Sequence, residues 1–185
     1  MRAGAAWPRV VPALFALLAV MPSAGGQSTT WDVSRAREVN TPLSDLPPAD
    51  RTGIARRLHA RESSLRAERV EIPGGRLFFV QGFGRDFCGG TGNCSFSILT
   101  SDFKVVLSNA AQAYQIQITS HNGLPDIVTS MHDSAFESLL KLWQFNGRYY
   151  ERNACADALF ADQLSGKTFR HPRITQQPCK QLFGR

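Results

Sequence analysis

Apolar and polar side chains alternate through most of the second half of this chain. Tyr114, Ile116 and Ile118 stand on one side of an extended run, with Gln115, Gln117 and Thr119 on the other. That is the period of two that a strand imposes on its side chains. Phe96 and Ile98 alternate with Ser95 and Ser97, Ser101-Asp102 turns the chain, and Phe103, Val105 and Leu107 alternate again. Upstream, Val70 and Ile72 alternate, Pro73-Gly74-Gly75 makes a turn, and the run Leu77 to Val80 continues as a more fully buried strand. Downstream, His121-Asn122-Gly123 interrupts the pattern, Ile127-Val128-Thr129 resumes it, and Leu139 to Phe145 leads into Asn146-Gly147. An Asn-Gly pair between Trp143-Phe145 and Tyr149-Tyr150 predicts a type I′ hairpin turn, whose two central residues need positive φ. Strands joined by short turns without helical crossovers must pair antiparallel. The expected fold is therefore mainly β (α+β), an antiparallel meander of about six or seven strands with one N-terminal helix.

The helix signal precedes the sheet. Asp45 stands before Pro47-Pro48, Ile54, Ala55 and Leu58 share one side, and Arg51, Arg56 and Arg57 spread around the rest, with an end expected near Glu62. So few apolar residues bury only a narrow stripe, so the helix is expected at the edge of something larger. Residues 27–44 are polar with a lone Trp31 and read as an N-terminal arm, 45–155 as the helix plus the antiparallel domain, and 156–185 as a loop-rich tail.

The N-terminus changes the compartment. Arg2 and Arg9, without an acid, precede the apolar run Val10 to Met21 and then the small residues Pro22 to Gly26. This is the three-part layout of a secretory signal peptide over 1–26, with cleavage expected after Gly25 or Gly26. The apolar run of about twelve residues is short of the ~20 that a spanning helix needs. No second run of that length follows, so no transmembrane segment is expected after cleavage. About 160 residues then remain, enough for one domain with a real core. Two of the 21 basic residues leave with the signal and none of the 15 acidic ones do, so the mature charge is +4. That is mild, and Lys and Arg nowhere form a block, so nucleic acid is not an expected partner.

Four cysteines, Cys88, Cys94, Cys155 and Cys179, all lie in the mature part. An even count after a signal peptide reads as disulfides, and of the three possible pairings we favour neighbours, Cys88 with Cys94 and Cys155 with Cys179. The first pair encloses Gly89, Gly90, Thr91, Gly92 and Asn93, a chain that folds back without steric cost. Loop entropy assigns the two bridges about 2 and about 3.5 kcal/mol. The C-x5-C spacing is not the C-x-x-C of thioredoxin-type redox sites, nor a zinc-ligand spacing.

The succession Cys88-Gly89 to Gly92-Asn93-Cys94, the apolar strand Phe96 to Leu99, Asn122-Gly123-Leu124-Pro125-Asp126-Ile127-Val128 and Trp143-Gln144-Phe145-Asn146-Gly147-Arg148-Tyr149-Tyr150 resembles a group of exported bacterial proteins. Their pattern is a C-G-x(4)-C turn followed by a W-x-F-[DN]-G-x-x-Y hairpin. The segment Asn122 to Val128 is also similar to the G-x-x-D-[LIV]-V step of FG-GAP propeller repeats, whose blades are four-stranded meanders. The resemblance covers about a third of the chain and implies a fold rather than an activity. FG-GAP repeats place a D-x-D-x-D-G calcium loop before that step. Here Thr119-Ser120-His121-Asn122 stand there, without the carboxylates that hold a hard cation. Calcium is therefore not carried over, and no cofactor or metal is expected.

Candidate chemistry is sparse. His59 reads as a helix-face residue, and His132-Asp133-Ser134 holds triad residue types, but adjacent residues point in different directions and no G-x-S-x-G elbow exposes a serine. His121, Asp126 and His132 form the one candidate catalytic or metal cluster, provided the hairpin between them brings them together. Asp126 and Glu137 are the carboxylates available for glycoside hydrolysis. Arg148, Tyr149, Tyr150 and Arg152 follow the hairpin tip, and aromatic and arginine side chains there suit a recognition surface. The expected function is a non-enzymatic periplasmic or secreted binding module whose partner is a protein or envelope component. The alternatives are an inhibitor of a secreted hydrolase such as a lysozyme, and a hydrolase using the His121, Asp126 and His132 region.

Overall fold

The computed structural model describes residues 31–161 and 168–179. The signal-peptide expectation for 1–26 lies outside the described residues. Among the described residues nine strands form: β1 (Leu65–Ile72), β2 (Gly75–Gly82), β3 (Cys94–Thr100), β4 (Val105–Ala111), β5 (Ala113–His121), β6 (Leu124–His132), β7 (Glu137–Phe145), β8 (Tyr150–Ala161) and β9 (Thr168–Gln177). All neighbouring strands pair antiparallel, in the order β1-β2-β3-β4 in one sheet and β5-β6-β7-β8-β9 in the other. The fold is mainly β and antiparallel, as the alternation predicted, with more strands than expected and a division into two meanders.

Both sheets contribute to one core. Leu77 and Phe79 of β2, Phe96 and Ile98 of β3, Tyr114 of β5 and Ile127 of β6 are all buried in it. The Phe79 and Tyr114 rings stack at 4.3 Å, an aromatic contact between strands of different sheets. On its outer face the first sheet is covered by α1 (Pro48–Leu58), where Ile54 joins Leu43, Leu65, Phe78, Val80 and Leu99. Covering on both faces explains why Leu77 to Val80 is apolar without alternation: Phe78 faces the helix and Phe79 the second sheet. The outer face of the second sheet carries Val128, Leu140, Leu142, Ala154, Ala156 and Ala158, with Trp31, Val33 and Ile174 against them.

The helix starts at Pro48, whose missing N–H costs nothing in the first turn. It ends earlier than expected, because His59 adopts left-handed backbone (φ 52) and its N–H closes on the Ala55 and Arg56 carbonyls.

Three expectations are corrected. The polar arm over 27–44 is docked in its described part: Val39 and Leu43 are buried, and Arg37 pairs with Tyr114 through two backbone hydrogen bonds of 2.9 Å. Gln115 and Gln117, the polar side of the cleanest alternating run, are what hold it. Gln115 accepts from the Arg35 N–H at 2.8 Å, and Gln117 donates to the Asp32 carbonyl at 2.9 Å. Residues 31–37 thus cover the open edge of β5, a protection that an unpaired strand edge needs. The loop-rich tail over 156–185 is corrected as well, since β8 runs on to Ala161 and β9 spans Thr168–Gln177. In β9 only Ile174 of the described side chains joins an apolar cluster, so its sequence carries little period.

The third correction concerns the hairpins. Asn146-Gly147 is not a two-residue type I′ turn: Phe145 pairs with Tyr150, four residues lie between, and only Gly147 (φ 97) has positive φ. Asn146 instead uses its side chain, its Oδ1 accepting from the N–H groups of Arg148 and Tyr149. The type I′ geometry occurs at Asn122-Gly123 (φ 48 and 86), between the paired residues His121 and Leu124. Both disulfides pair as expected, Cys88 with Cys94 and Cys155 with Cys179. Among the described residues no helix is long and apolar enough to cross a membrane.

Candidate functional site

The β5–β6 and β7–β8 turns lie at one end of the second sheet, joined where the Asn122 side-chain amide donates to the Phe145 carbonyl at 2.7 Å. In this end β5 carries an irregularity. Ile116 pairs with Ile127 and Ser120 with Pro125, so Gln117, Ile118 and Thr119 stand opposite Asp126 alone. The extra residues break the period of two. Ile118, expected on the core side with Tyr114 and Ile116, is instead fully exposed at 104%.

The same irregularity builds a polar nest around Asp126, which is only 2% exposed. Its Oδ2 accepts from the Thr119 hydroxyl at 2.7 Å and from the Gln144 amide at 3.4 Å, and its Oδ1 lies 2.6 Å from His121 Nδ1. A buried carboxylate requires such partners. The His121 ring is the exposed member, with 46% of its side chain accessible. With Nδ1 committed to the carboxylate, Nε2 is the nitrogen left to face outward. Chemically, an oriented imidazole of this kind can accept or donate a proton or hydrogen-bond a bound group. Among the described residues, the His121 side chain is hydrogen-bonded to Asp126. The Tyr150 hydroxyl donates to the Pro125 carbonyl at 2.9 Å, and burial followed by the Asp126 charge raises its pKa above the usual tyrosine value.

The rest of the expected cluster does not assemble. His132 ends β6 six residues beyond Asp126, roughly 20 Å along a strand. There its backbone N–H donates to the Asn93 Oδ1 at 2.8 Å and its carbonyl accepts from Asn93 Nδ2 at 2.9 Å. His132 thus anchors the Cys88–Cys94 loop. Ser134 caps the β6–β7 turn, its hydroxyl accepting from the N–H groups of Phe136 and Glu137. Glu137 begins β7 while Gln144, seven residues on, meets Asp126. The two carboxylates are therefore about 20 Å apart, beyond the ~5–9.5 Å of a glycosidase pair. Among the described residues no group of three His, Cys, Asp or Glu side chains is placed to hold a metal ion.

Of the predicted recognition surface, Arg148, Tyr149 and Arg152 are exposed, whereas Tyr150 is buried at 4% against Phe145. Sequence reading missed Lys141, which is 5% exposed and donates to Asn109 Oδ1 at 3.1 Å across the two sheets. Thr129 completes that network, accepting from the Asn109 amide at 3.4 Å and from the Trp143 indole at 2.9 Å. Burial, reinforced by the nearby Arg152 charge, lowers the Lys141 pKa to about 8. The signal was present in the period of two, since Leu139, Lys141 and Trp143 fall on one side of β7.

Comparison of the chain with protein-family models, curated proteins and solved structures gives no match in any of the three.

Proposed function

We propose that this protein is a periplasmic or secreted binding module of the bacterial envelope, and that it recognises a protein partner through the His121–Asp126 end of its second sheet. The observation that carries this reading is the exposed apolar and cationic set held there by ordered turns. Ile118 is fully exposed, Tyr149 is 47% exposed, and Arg148 stands beside it in a turn fixed by Asn146. Rigid presentation of such anchors lowers the ordering cost of association, and aromatic and arginine side chains dominate binding hot spots. Two disulfides suit an oxidising compartment. His121 belongs to this surface as a hydrogen-bonding group oriented by Asp126.

Photo-crosslinking in intact cells tests the reading. A photoreactive side chain at position 149 is expected to give a discrete adduct, and one at Glu71, in the other sheet, is not. Ile118→Asp removes the adduct without changing the melting temperature, because Ile118 makes no buried contact. Equal adducts at both positions, or an adduct indifferent to Ile118→Asp, would falsify it. The identity of the adduct separates an envelope component from a secreted hydrolase, the partner that an inhibitor would have.

A further inference from the structure

A second surface, on the opposite sheet, breaks local rules twice in one place. Gly53 lies inside α1, where glycine is less favourable than alanine. Phe103, in the β3–β4 turn, has left-handed backbone at φ 62, a strained conformation for a bulky side chain. The two are in contact: a Cβ added at Gly53 would overlap the Phe103 ring. The ring also stacks on Phe78 at 5.7 Å and 19°. Together they make a flat apolar floor between the helix and the turn.

Above this floor opens a cleft of about 930 Å³, within the range of sites that take drug-sized ligands. Its rim carries Arg56, Arg57 and His59 from the end of α1 and Lys104 from the turn. All four are exposed. The rim also holds one acid, Asp102, to which the Thr100 hydroxyl donates; this bond holds its pKa below the usual carboxylate value and keeps it anionic, so Arg56, Arg57 and Lys104 leave the rim cationic by three charges to one. Arginines in a last helical turn are also favoured by the helix dipole. The dipole does not account for Lys104, which reaches the same rim from a different element.

We propose that this cleft binds a single amphiphilic anion, with its phosphate or carboxylate on the Arg56, Arg57 and Lys104 rim and its apolar part on the Gly53–Phe103 floor. The site is independent of the protein-binding end described above. A monomeric ligand is favoured over a membrane surface because cations from two different elements converge on this one cleft, around the Gly53–Phe103 contact.

Titration calorimetry of the oxidised protein with dodecyl phosphate, kept below its micellar concentration, tests this. Saturable one-to-one binding is expected, weakened at least tenfold in the Arg56→Gln, Arg57→Gln, Lys104→Gln triple variant and weakened again by 0.5 M salt through screening, as on the order of a 4 Å Debye length implies. Dodecyltrimethylammonium, with the same tail and the opposite charge, is expected not to bind. The three substituted side chains are exposed, so the melting temperature of the triple variant reports whether it still folds. Equal affinity in the triple variant, or equal binding of the cationic amphiphile, overturns the proposal. Co-sedimentation with phosphatidylglycerol vesicles that depends on the same three residues, without binding of the monomer, also overturns it, in favour of a membrane surface.

Discussion

Removing one oxygen from Tyr114 tests how the two sheets and the N-terminal segment are joined. Tyr114 is 1% exposed and its ring stacks on Phe79, while its hydroxyl donates to Glu68 Oε2 at 2.6 Å and accepts from Arg37 Nε at 3.0 Å. Tyr114→Phe keeps the ring and its packing, so the loss is confined to the hydroxyl. A hydrogen bond to a charged group contributes about 1.5–3 kcal/mol. Glu68 and Arg37 remain paired at 3.3 Å without the hydroxyl, with side chains 20% and 53% exposed, so water and that ion pair recover part of it. The expected cost is about 1–2 kcal/mol, with Tyr114→Leu costing about 2 kcal/mol more through the lost ring. In urea melts Tyr114→Phe is expected to lower the midpoint and leave the slope unchanged. A double-mutant cycle with Glu68→Gln isolates the pair and is expected to give about 1 kcal/mol of coupling. Alkaline pH gives a second readout. Burial first, then the Glu68 contact, raises the Tyr114 pKa. Its contribution is therefore complete below the unfolded tyrosine value of about 10 and is lost as pH rises through the folded value. A Tyr114→Phe protein that melts like its parent, or a cycle with no coupling, would show that the hydroxyl does not join Arg37 to Glu68.

Gly123→Val and Gly147→Val are each expected to cost about 1–3 kcal/mol in denaturant melts, since φ is 86 and 97 there and β-branched side chains do not enter that region; a neutral outcome at Gly123 would contradict the type I′ turn. Lys141, lowered from 10.5 to about 8 by burial, binds fewer protons folded than unfolded between those values. Stability is therefore expected to rise by roughly 2 kcal/mol between pH 8 and pH 10, and Lys141→Met to lose that rise. Peptide mapping of oxidised protein is expected to show Cys88 joined to Cys94 and Cys155 to Cys179, and any cross-linkage between the pairs would refute it. Cys179→Ala removes a bridge that closes a long loop and is expected to cost about 3 kcal/mol, with hydrogen exchange rising first in β9.

Local pattern decided what depends on near neighbours. Alternation along 96–100, 114–117 and 127–131 and short turns determined an antiparallel mainly β fold. Paired prolines fixed the start of α1, and the glycine-rich interval between Cys88 and Cys94 determined that they could bond. Distant partners decided the rest. Residues 31–44 read as a loose arm because their few apolar side chains find a core only when β1 and β5 are assembled beside them. Ile118 continues the alternation perfectly in sequence and still faces solvent, since a strand's period holds only while each residue has one partner, and three residues of β5 oppose Asp126. The same irregularity joined His121 to Asp126, while the length of β6 carried His132 to the far end, a separation set by strand rise rather than by residue type. Asn122-Gly123 and Asn146-Gly147 are the same dipeptide and form different turns, because pairing of the flanking strands leaves two residues free in the first case and four in the second. Period two placed Lys141 on the side of Leu139 and Trp143, but only the stacking of a second sheet turned that side into an interior and lowered the lysine's pKa.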